Sequence, residues 1–265
     1  MGRFAAVLVL LAFCCPSYAD SACAYVFTSG GSNPALQSCV SANGNLAHLT
    51  TPFNVENIAA GTGGEGYGIC DLTGNGTGYW DYAVDYSSTP LNLPADSGNW
   101  NNPVLLDSSE DSVRIRRSTS DNLWTLTQTI TQHHSSVKVV MSLKNNSSVD
   151  RLVNLFRFAD VTIAGFPNNN FDATSMTAFA WDSSGSSTPP YGIMLQNVGA
   201  PMGFDQSKTI ETVPALRDVN YPPHPCVPTT KFGPLSPVDG SMIMFYGGTV
   251  PAHRSAVATM TYSGM

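Results

Sequence analysis

Hydrophobic and polar residues alternate most clearly between residues 103 and 164. In the run 123–131, Trp124 and Leu126 share one side with Gln128, while the other side is mostly threonine. A period of two residues places one side in a core and the other in water, as in a half-buried β-strand. Four such runs, separated by turn-forming residues, predict an antiparallel meander. They cover residues 112–118, 123–131, 136–143 and 152–163.

Further strands are predicted in the second half of the chain, with glycine and proline between them. They cover residues 177–181, 191–196, 241–246 and 255–262. Two segments interrupt the pattern, since residues 61–78 hold eight glycines and residues 214–237 hold seven prolines. Short strands between such loops are typical of a sandwich. We therefore expect an all-β fold, an antiparallel β-sandwich of meander or Greek-key type with long Gly-rich and Pro-rich loops.

The first nineteen residues have the pattern of a secretory signal peptide. Arg3 precedes an apolar run, and Ser17-Tyr18-Ala19 gives the small-x-small pattern after which cleavage is expected. The run is shorter than the roughly 20 residues of a membrane span. A membrane anchor and a lipoprotein site at Cys14 are the alternatives. We expect residues 1–19 to be removed and residues 20–265 to form a single secreted or periplasmic domain.

Composition and charge agree with an exported β-protein. Charged residues make up only 12% of the chain, so neutral polar residues must fill much of the surface. The formal net charge of −7 argues against a nucleic-acid partner, because nucleic-acid recognition depends on a basic surface. One basic run at residues 114–117 is expected to form a solvated sheet face beside Asp107, Glu110 and Asp111.

Four cysteines follow the predicted signal peptide: Cys23, Cys39, Cys70 and Cys226. An even number in an oxidising compartment favours two disulfides, for which three connectivities exist. We prefer Cys23–Cys39, which closes a short loop, and Cys70–Cys226, which would tie the Pro-rich segment to the body. A metal site made of these cysteines is disfavoured, since no C-x-x-C spacing is present.

Aromatic residues are concentrated in a polar, glycine-rich part of the chain. Trp80 and Tyr82 lie close together there, and Trp100 follows in an asparagine-rich stretch. Aromatic rings offer flat apolar faces on which sugars stack. Trp80, Tyr82 and Trp100 are therefore the candidate ligand-binding residues. The alternative is that these rings belong to the core.

Asp160 and Asp81 are the candidate catalytic residues, although no motif names a reaction. Asp160 lies in the apolar run 152–163, where burial would raise its pKa. A salt bridge of Asp160 with Arg157 or with another arginine is the alternative. Glycoside hydrolysis needs two carboxylates roughly 5 to 10 Å apart across a cleft. The chain contains no G-x-S-x-G or H-E-x-x-H motif.

Residues 71–76 resemble the start of a calcium loop, with Asp71, Thr73 and Asn75 as candidate ligands. The glutamate that such a loop requires at its twelfth position is absent, because Tyr82 stands there. A glycine turn is therefore preferred. We expect no cofactor, with calcium as the one alternative.

The hairpin from Val137 to Phe158, with Asn-Asn-Ser-Ser at its tip, resembles sugar-handling β-sandwich proteins of the mutarotase type. The histidine expected of that catalytic family is missing, so no family is assigned.

Three functions remain compatible with the sequence. The first is a non-catalytic binding module for an extracellular ligand such as a carbohydrate. The second is a carbohydrate-active hydrolase or isomerase that uses aspartate side chains, and the third is a structural or adhesive surface protein. We expect a glycan or a surface component as partner, and no membrane span after signal cleavage.

Overall fold

The computed structural model describes residues 23–29, 36–52, 54–58, 64–74, 76–82, 98–174, 176–185, 190–198 and 234–265. All regular structure in this part of the chain is β-strand, and neighbouring strands are antiparallel. The expected all-β antiparallel sandwich is confirmed.

Sixteen strands lie within the described residues. They are β1 Tyr25–Thr28, β2 Gln37–Val40, β3 Leu46–Thr50, β4 Glu65–Asp71, β5 Thr77–Tyr82, β6 Val104–Ser108, β7 Ser112–Ser118, β8 Trp124–His133, β9 Ser136–Asn145, β10 Arg151–Asp160, β11 Asn168–Ala173, β12 Thr177–Asp182, β13 Gly192–Asn197, β14 Leu235–Asp239, β15 Ser241–Val250 and β16 Ser255–Gly264. Each of the eight predicted runs overlaps one strand.

Nine strands form the larger sheet, in the order β14-β11-β12-β13-β16-β9-β8-β7-β6. β7, β8 and β9 pair in sequence, as the meander predicts. The prediction is wrong at its fourth strand, because β16 lies beside β9 and β10 belongs to another sheet. β10 carries apolar residues on both sides, so it requires packing on each face. One face packs into the core between the two sheets, and the other belongs to a separate apolar cluster.

The smaller sheet has the order β15-β10-β4-β5 and packs against the larger one. Alternate side chains from both sheets form one core, which includes Leu126, Met141, Leu155 and Met244. The opposite face of the smaller sheet carries a separate apolar cluster, formed by Phe156, Phe158, Ile243 and Phe245. Since successive residues of a strand point to opposite faces, β10 and β15 contribute to both clusters.

The remaining three strands form a sheet of their own, in the order β1-β2-β3. Polar contacts join this sheet to the core. The Ser38 hydroxyl donates to Gln132 Oε1 of β8 at 2.6 Å. The Leu46 amide donates to Glu65 Oε2 of β4 at 2.7 Å.

The predicted disulfide between Cys23 and Cys39 is present, with the two Cα atoms 5.2 Å apart. Cys70 is buried in β4 and is also disulfide-bonded. Its predicted partner Cys226 lies outside the described residues, so the second pairing stays a prediction.

The Gly-rich segment forms more than a loop, because β4 and the first part of β5 lie within it. Gly68 faces Phe156 of β10, and a Cβ atom at this position would lie 2.3 Å from two carbons of the ring. Glycine therefore allows the two strands to carry a large aromatic residue between them.

Residues 1–19, the predicted signal peptide, and residues 214–233 of the Pro-rich segment lie outside the described residues. Within the described ranges, no helix has the length and apolar character needed to cross a membrane.

Candidate functional site

The outward face of the larger sheet carries an open groove, which we call the outer groove. It has a volume of about 540 Å³ and lies across β7, β8, β9 and the start of β16. The residues that line it are Asn101, Asn102, Val104, Arg116, Ser118, Asn122, Thr125, Thr127, Ser142, Lys144, Asn146 and Ser255. All but one of these side chains are polar.

Strand alternation produces the polar floor of the outer groove. In β8, Trp124 and Leu126 are buried, whereas Thr125 and Thr127 point outward. Ser142 of β9 pairs with Thr127 and continues the floor. The alternation that fills the core therefore also lines the groove.

Hydrogen bonds hold several lining side chains in place. Nδ2 of Asn146 donates to the Thr125 hydroxyl at 2.8 Å and to the backbone carbonyl of Asn122 at 3.1 Å. The hydroxyl oxygens of Thr125 and Ser118 lie 3.0 Å apart. Side chains that are ordered beforehand lose less conformational entropy when a ligand binds.

Two cations, Arg116 and Lys144, line the outer groove, and both side chains are exposed. Neither forms a salt bridge within the described part of the chain. Their cross-strand neighbours are all uncharged, namely Val104, Thr125, Thr127 and Ser255. None of the described lining residues is an aspartate, glutamate or histidine, so the groove carries positive charge.

Asp81, a predicted catalytic residue, is buried in β5 and surrounded by donors. Nδ2 of Asn43 lies 3.0 Å and Nδ2 of Asn45 lies 2.5 Å from its oxygens. Arg117 forms an ion pair with it. Arg117 is therefore buried, which corrects the prediction that the whole run 114–117 is solvated. Only Arg114 and Arg116 fall on the outward side of β7.

Asp160 and Asp81 point to opposite faces of the smaller sheet, so they do not face one another across one cleft. Asp81 points towards the core between the sheets, as Tyr67 opposite it does. Asp160 lies two and four residues beyond Phe158 and Phe156 in β10. Because alternate residues of a strand share a face, all three point to the other face of the sheet. Among the described residues, Arg157 pairs with Glu65 and not with Asp160. A salt bridge of Asp160 with another arginine stays a prediction.

Glu65 and Arg157 form a buried ion pair that sequence reasoning did not identify. Glu65 accepts from Nε and Nη2 of Arg157, from the Leu46 amide and from the Tyr262 hydroxyl. Burial raises the pKa of Glu65, and the Arg157 charge offsets part of this rise. Burial alone would lower the pKa of Arg157, but the Glu65 charge raises it. The pair lies between the sheets, on the opposite side of the larger sheet from the outer groove.

Trp100 is a core residue, with 8% of its surface exposed. Its ring makes edge contacts with Tyr67 and Tyr79, whose centroids lie 5.8 and 6.1 Å away. The Arg117 guanidinium lies 5.2 Å from the centroid of the Trp100 ring. Trp100 therefore occupies the position that the alternative interpretation gave it.

The structure places two of the three predicted ligand-binding aromatics, Trp80 and Trp100, on opposite faces of the smaller sheet. Trp80 packs against the apolar cluster on the outer face of the smaller sheet. Trp100 contacts Tyr79, the preceding residue of β5, on the inner face. Tyr82 ends β5, and its side chain is not among those described. Neither Trp80 nor Trp100 lines the outer groove.

Asp71, the first candidate calcium ligand, is directed into the protein. Its oxygens accept from Nη1 of Arg151 at 2.6 Å, from Nε1 of Trp124 at 3.0 Å and from the Thr73 amide at 2.9 Å. Asn75 lies outside the described residues. Among those that are described, no three His, Cys, Asp or Glu side chains are grouped so that they could hold a metal.

Several solved structures share this fold. A galactose mutarotase-like protein from Lactobacillus casei ATCC 334 has a TM-score of 0.52 at 10% identity, covering 91% of this chain and 100% of its own. A proposed aldose 1-epimerase from Escherichia coli K12 has a TM-score of 0.51 at 9% identity, covering 91% and 99%. A bacterial glucoamylase in complex with acarbose has a TM-score of 0.55 at 8% identity, covering 92% of this chain but only 32% of the enzyme.

At these identities the likeness establishes the fold alone. No protein-family model matches the chain, and no curated protein sequence matches it.

Proposed function

We propose that the protein is a carbohydrate-binding protein whose ligand lies in the outer groove. The observation that carries this proposal is the lining of the groove, where neutral donors and acceptors stand at fixed positions on a rigid sheet. Carbohydrates present many hydroxyl groups, and each needs a donor or an acceptor when it leaves water. Asparagine amides and threonine or serine hydroxyls supply both.

The fold supports the same ligand class. Its solved relatives include proteins described as an aldose epimerase, a mutarotase-like protein and a glucoamylase bound to acarbose. The Cys23–Cys39 disulfide agrees with an oxidising compartment, which supports export and an extracellular glycan as partner.

Binding without catalysis is favoured by the absence of a carboxylate or a histidine among the described lining residues. Hydrolysis and isomerisation of sugars need a side chain that transfers a proton within hydrogen-bond reach of the substrate. Asp81 and Asp160 lie elsewhere, and Asp81 is occupied by Arg117 and two asparagines. Because none of the described lining residues is aromatic, recognition is expected through hydrogen bonds and charge.

Affinity gel electrophoresis against a panel of polysaccharides tests the proposal. Thr127→Trp places a bulky ring on the groove floor and is expected to abolish retardation of the protein. Thr129→Trp is the matched control, because Thr129 lies two residues further along the same outward face and does not line the groove. Equal retardation of both variants and the wild type, or no retardation by any glycan, would contradict the proposal.

The alternative of a hydrolase or isomerase is supported by the likeness to an epimerase fold. Polarimetry of freshly dissolved aldoses and a reducing-sugar assay would test it. Turnover that is lost in Asp160→Asn while circular dichroism is unchanged would favour the enzyme over the binding module.

The alternative of a structural or adhesive protein is supported by β6, an edge strand whose Val104, Leu105 and Leu106 are all exposed. Exposed apolar edges promote pairing between chains. Light scattering that shows concentration-dependent assembly, abolished by Leu105→Lys, would favour this function.

A further inference from the structure

We infer that the outer groove selects acidic polysaccharides, in which successive sugar units carry carboxylate or sulfate groups. This inference rests on the proposed function and specifies its ligand class. Its basis is the juxtaposition of two uncompensated cations across a neutral polar floor.

Cations are scarce in this protein, yet they gather on one surface. The chain has 12 Lys and Arg residues against 19 Asp and Glu residues. Four of the cations occupy outward positions on β7 and β9, namely Arg114, Arg116, Lys138 and Lys144. The strand between them, β8, presents only threonines outward from residue 125 to residue 131.

The two cations in the groove have no acidic neighbour in the sheet, unlike Arg114. In register, Arg114 lies opposite Asp107 of β6, whereas Arg116 lies opposite Val104 and Thr127. Lys144 lies opposite a threonine and a serine. An anionic ligand would therefore supply a counter-charge that the protein itself does not.

Two carboxylates beyond the groove, Asp121 and Asp150, are engaged by donors of the protein. Asp121, next to the lining residue Asn122, accepts from the Tyr79 and Thr119 hydroxyls and from the Leu123 amide. Asp150 accepts from the Ala252 amide. These contacts direct both carboxylates towards protein donors.

The spacing of the two cations suits a polymer with repeated charges. Arg116 and Lys144 stand two strands apart, which is about 10 Å across the sheet, and their register positions differ by two residues, which is about 7 Å along it. Each cation can therefore meet a different acidic group of one chain. The planar guanidinium of Arg116 matches the two oxygens of a carboxylate or sulfate.

Two matched pairs of polymers separate charge from sugar identity. Polygalacturonate is compared with its methyl ester, and dextran sulfate is compared with dextran, by affinity electrophoresis and titration calorimetry. We expect the acidic member of at least one pair to bind at least tenfold more tightly, and the pair that responds identifies the acidic group. Arg116→Gln and Lys144→Gln are each expected to weaken that binding by about tenfold, the value of one charge-assisted hydrogen bond.

Three controls make the test specific. Arg116→Lys, which keeps the charge, should retain more affinity than Arg116→Gln. Arg114→Gln removes an equally exposed cation outside the groove and should leave affinity within about twofold, an effect below 0.5 kcal/mol by conversion. Raising NaCl from about 0.05 to about 0.5 M should weaken acidic binding, because screening shortens the reach of exposed charges.

Several outcomes overturn the inference. Equal affinity for the acidic and neutral members of both pairs would refute it while leaving carbohydrate binding intact. An equal loss in Arg114→Gln and Arg116→Gln would indicate a diffuse basic surface. Tighter binding of single-stranded nucleic acid than of every acidic glycan would assign the groove to another class of polyanion. Absence of any glycan binding would refute the proposed function as well.

Discussion

Replacing Arg157 with methionine tests whether the buried pair with Glu65 stabilises the junction between the layers. Both side chains are fully buried. In the variant, Glu65 keeps only two of its donors, the Leu46 amide and the Tyr262 hydroxyl, each at 2.7 Å. The Gln128 and Gly44 oxygens lose the donors that Arg157 gives them at 2.5 and 3.0 Å. Removing one partner of a buried pair leaves an uncompensated charge, so we expect a loss of about 3–5 kcal/mol.

The variant should also acquire a characteristic pH dependence. Burial raises the pKa of Glu65 above 4.5, and removing the Arg157 charge raises it further. A pKa raised by folding adds stability below the unfolded value and loses it as pH rises through the folded value. The variant is therefore expected to be more stable at acidic than at neutral pH, with a slope of up to about 1.4 kcal/mol per pH unit.

Urea unfolding followed by circular dichroism at several pH values measures both effects. Arg116→Met is the matched control, since Arg116 is exposed on the outer face, and it should change the free energy of unfolding by less than about 0.5 kcal/mol. Glu65→Leu combined with Arg157→Met should recover much of the loss, because no charge then remains buried. A loss below about 1 kcal/mol in Arg157→Met, or one independent of pH, would refute this reasoning.

Three further substitutions have expected outcomes. Gly68→Ala should lower the free energy of unfolding in urea by about 1–3 kcal/mol, because its Cβ would overlap the Phe156 ring, and an unchanged midpoint would contradict this. Trp100→Ala should cost about 3–5 kcal/mol by removing a buried ring, yet glycan retardation measured well below the melting temperature should persist. Cys23→Ser opens a loop with a sequence separation of 16 and should cost about 3 kcal/mol, whereas reduction of this variant should cost less than reduction of the wild type.

Alternation predicts strands best where one face is buried and the other is wet. β7 begins and ends at the predicted residues, and β8 and β9 extend only two residues further at their ends. The alternation of apolar and polar residues is weaker in β2 and β4. β2 has only four residues, and β4 is buried along its whole length and rich in glycine. The partner of β10 also could not be predicted, since alternation identifies a strand but not the sheet to which it belongs.

The lining of the outer groove was not predicted from the sequence, for a physical reason. The sequence indicated individual residues with suitable chemistry, namely Trp80, Trp100, Asp81 and Asp160. The packing of strands in the folded protein decides whether each side chain is buried and to which face of the sheet it points. The outer groove instead combines common residue types, such as Thr127 and Ser142. These form a site only together with their neighbours on adjacent strands. The signal that could have indicated it was the threonine-rich side of β8 next to cations at outward positions of β7 and β9.

Arg116 and Arg117 show how a single step along a strand separates ligand recognition from stability. Arg116 is exposed in the outer groove, whereas Arg117 is buried, donates to Asp81 and to the Asn101 carbonyl, and lies over the Trp100 ring. Arg117→Gln should therefore lower the free energy of unfolding by about 3–5 kcal/mol.

Glycan affinity should nevertheless survive in folded Arg117→Gln, because Asn101 keeps its amide hydrogen bond to the Ser118 carbonyl at 2.8 Å. Arg116→Gln should do the reverse, with affinity for an acidic glycan reduced about tenfold and stability changed by less than about 0.5 kcal/mol. Calorimetric titration measures the glycan affinity of the two variants, and urea unfolding measures their free energy of unfolding. If both substitutions lower affinity and stability together, the inner and outer faces of β7 are not independent, and the division of roles between core and groove fails.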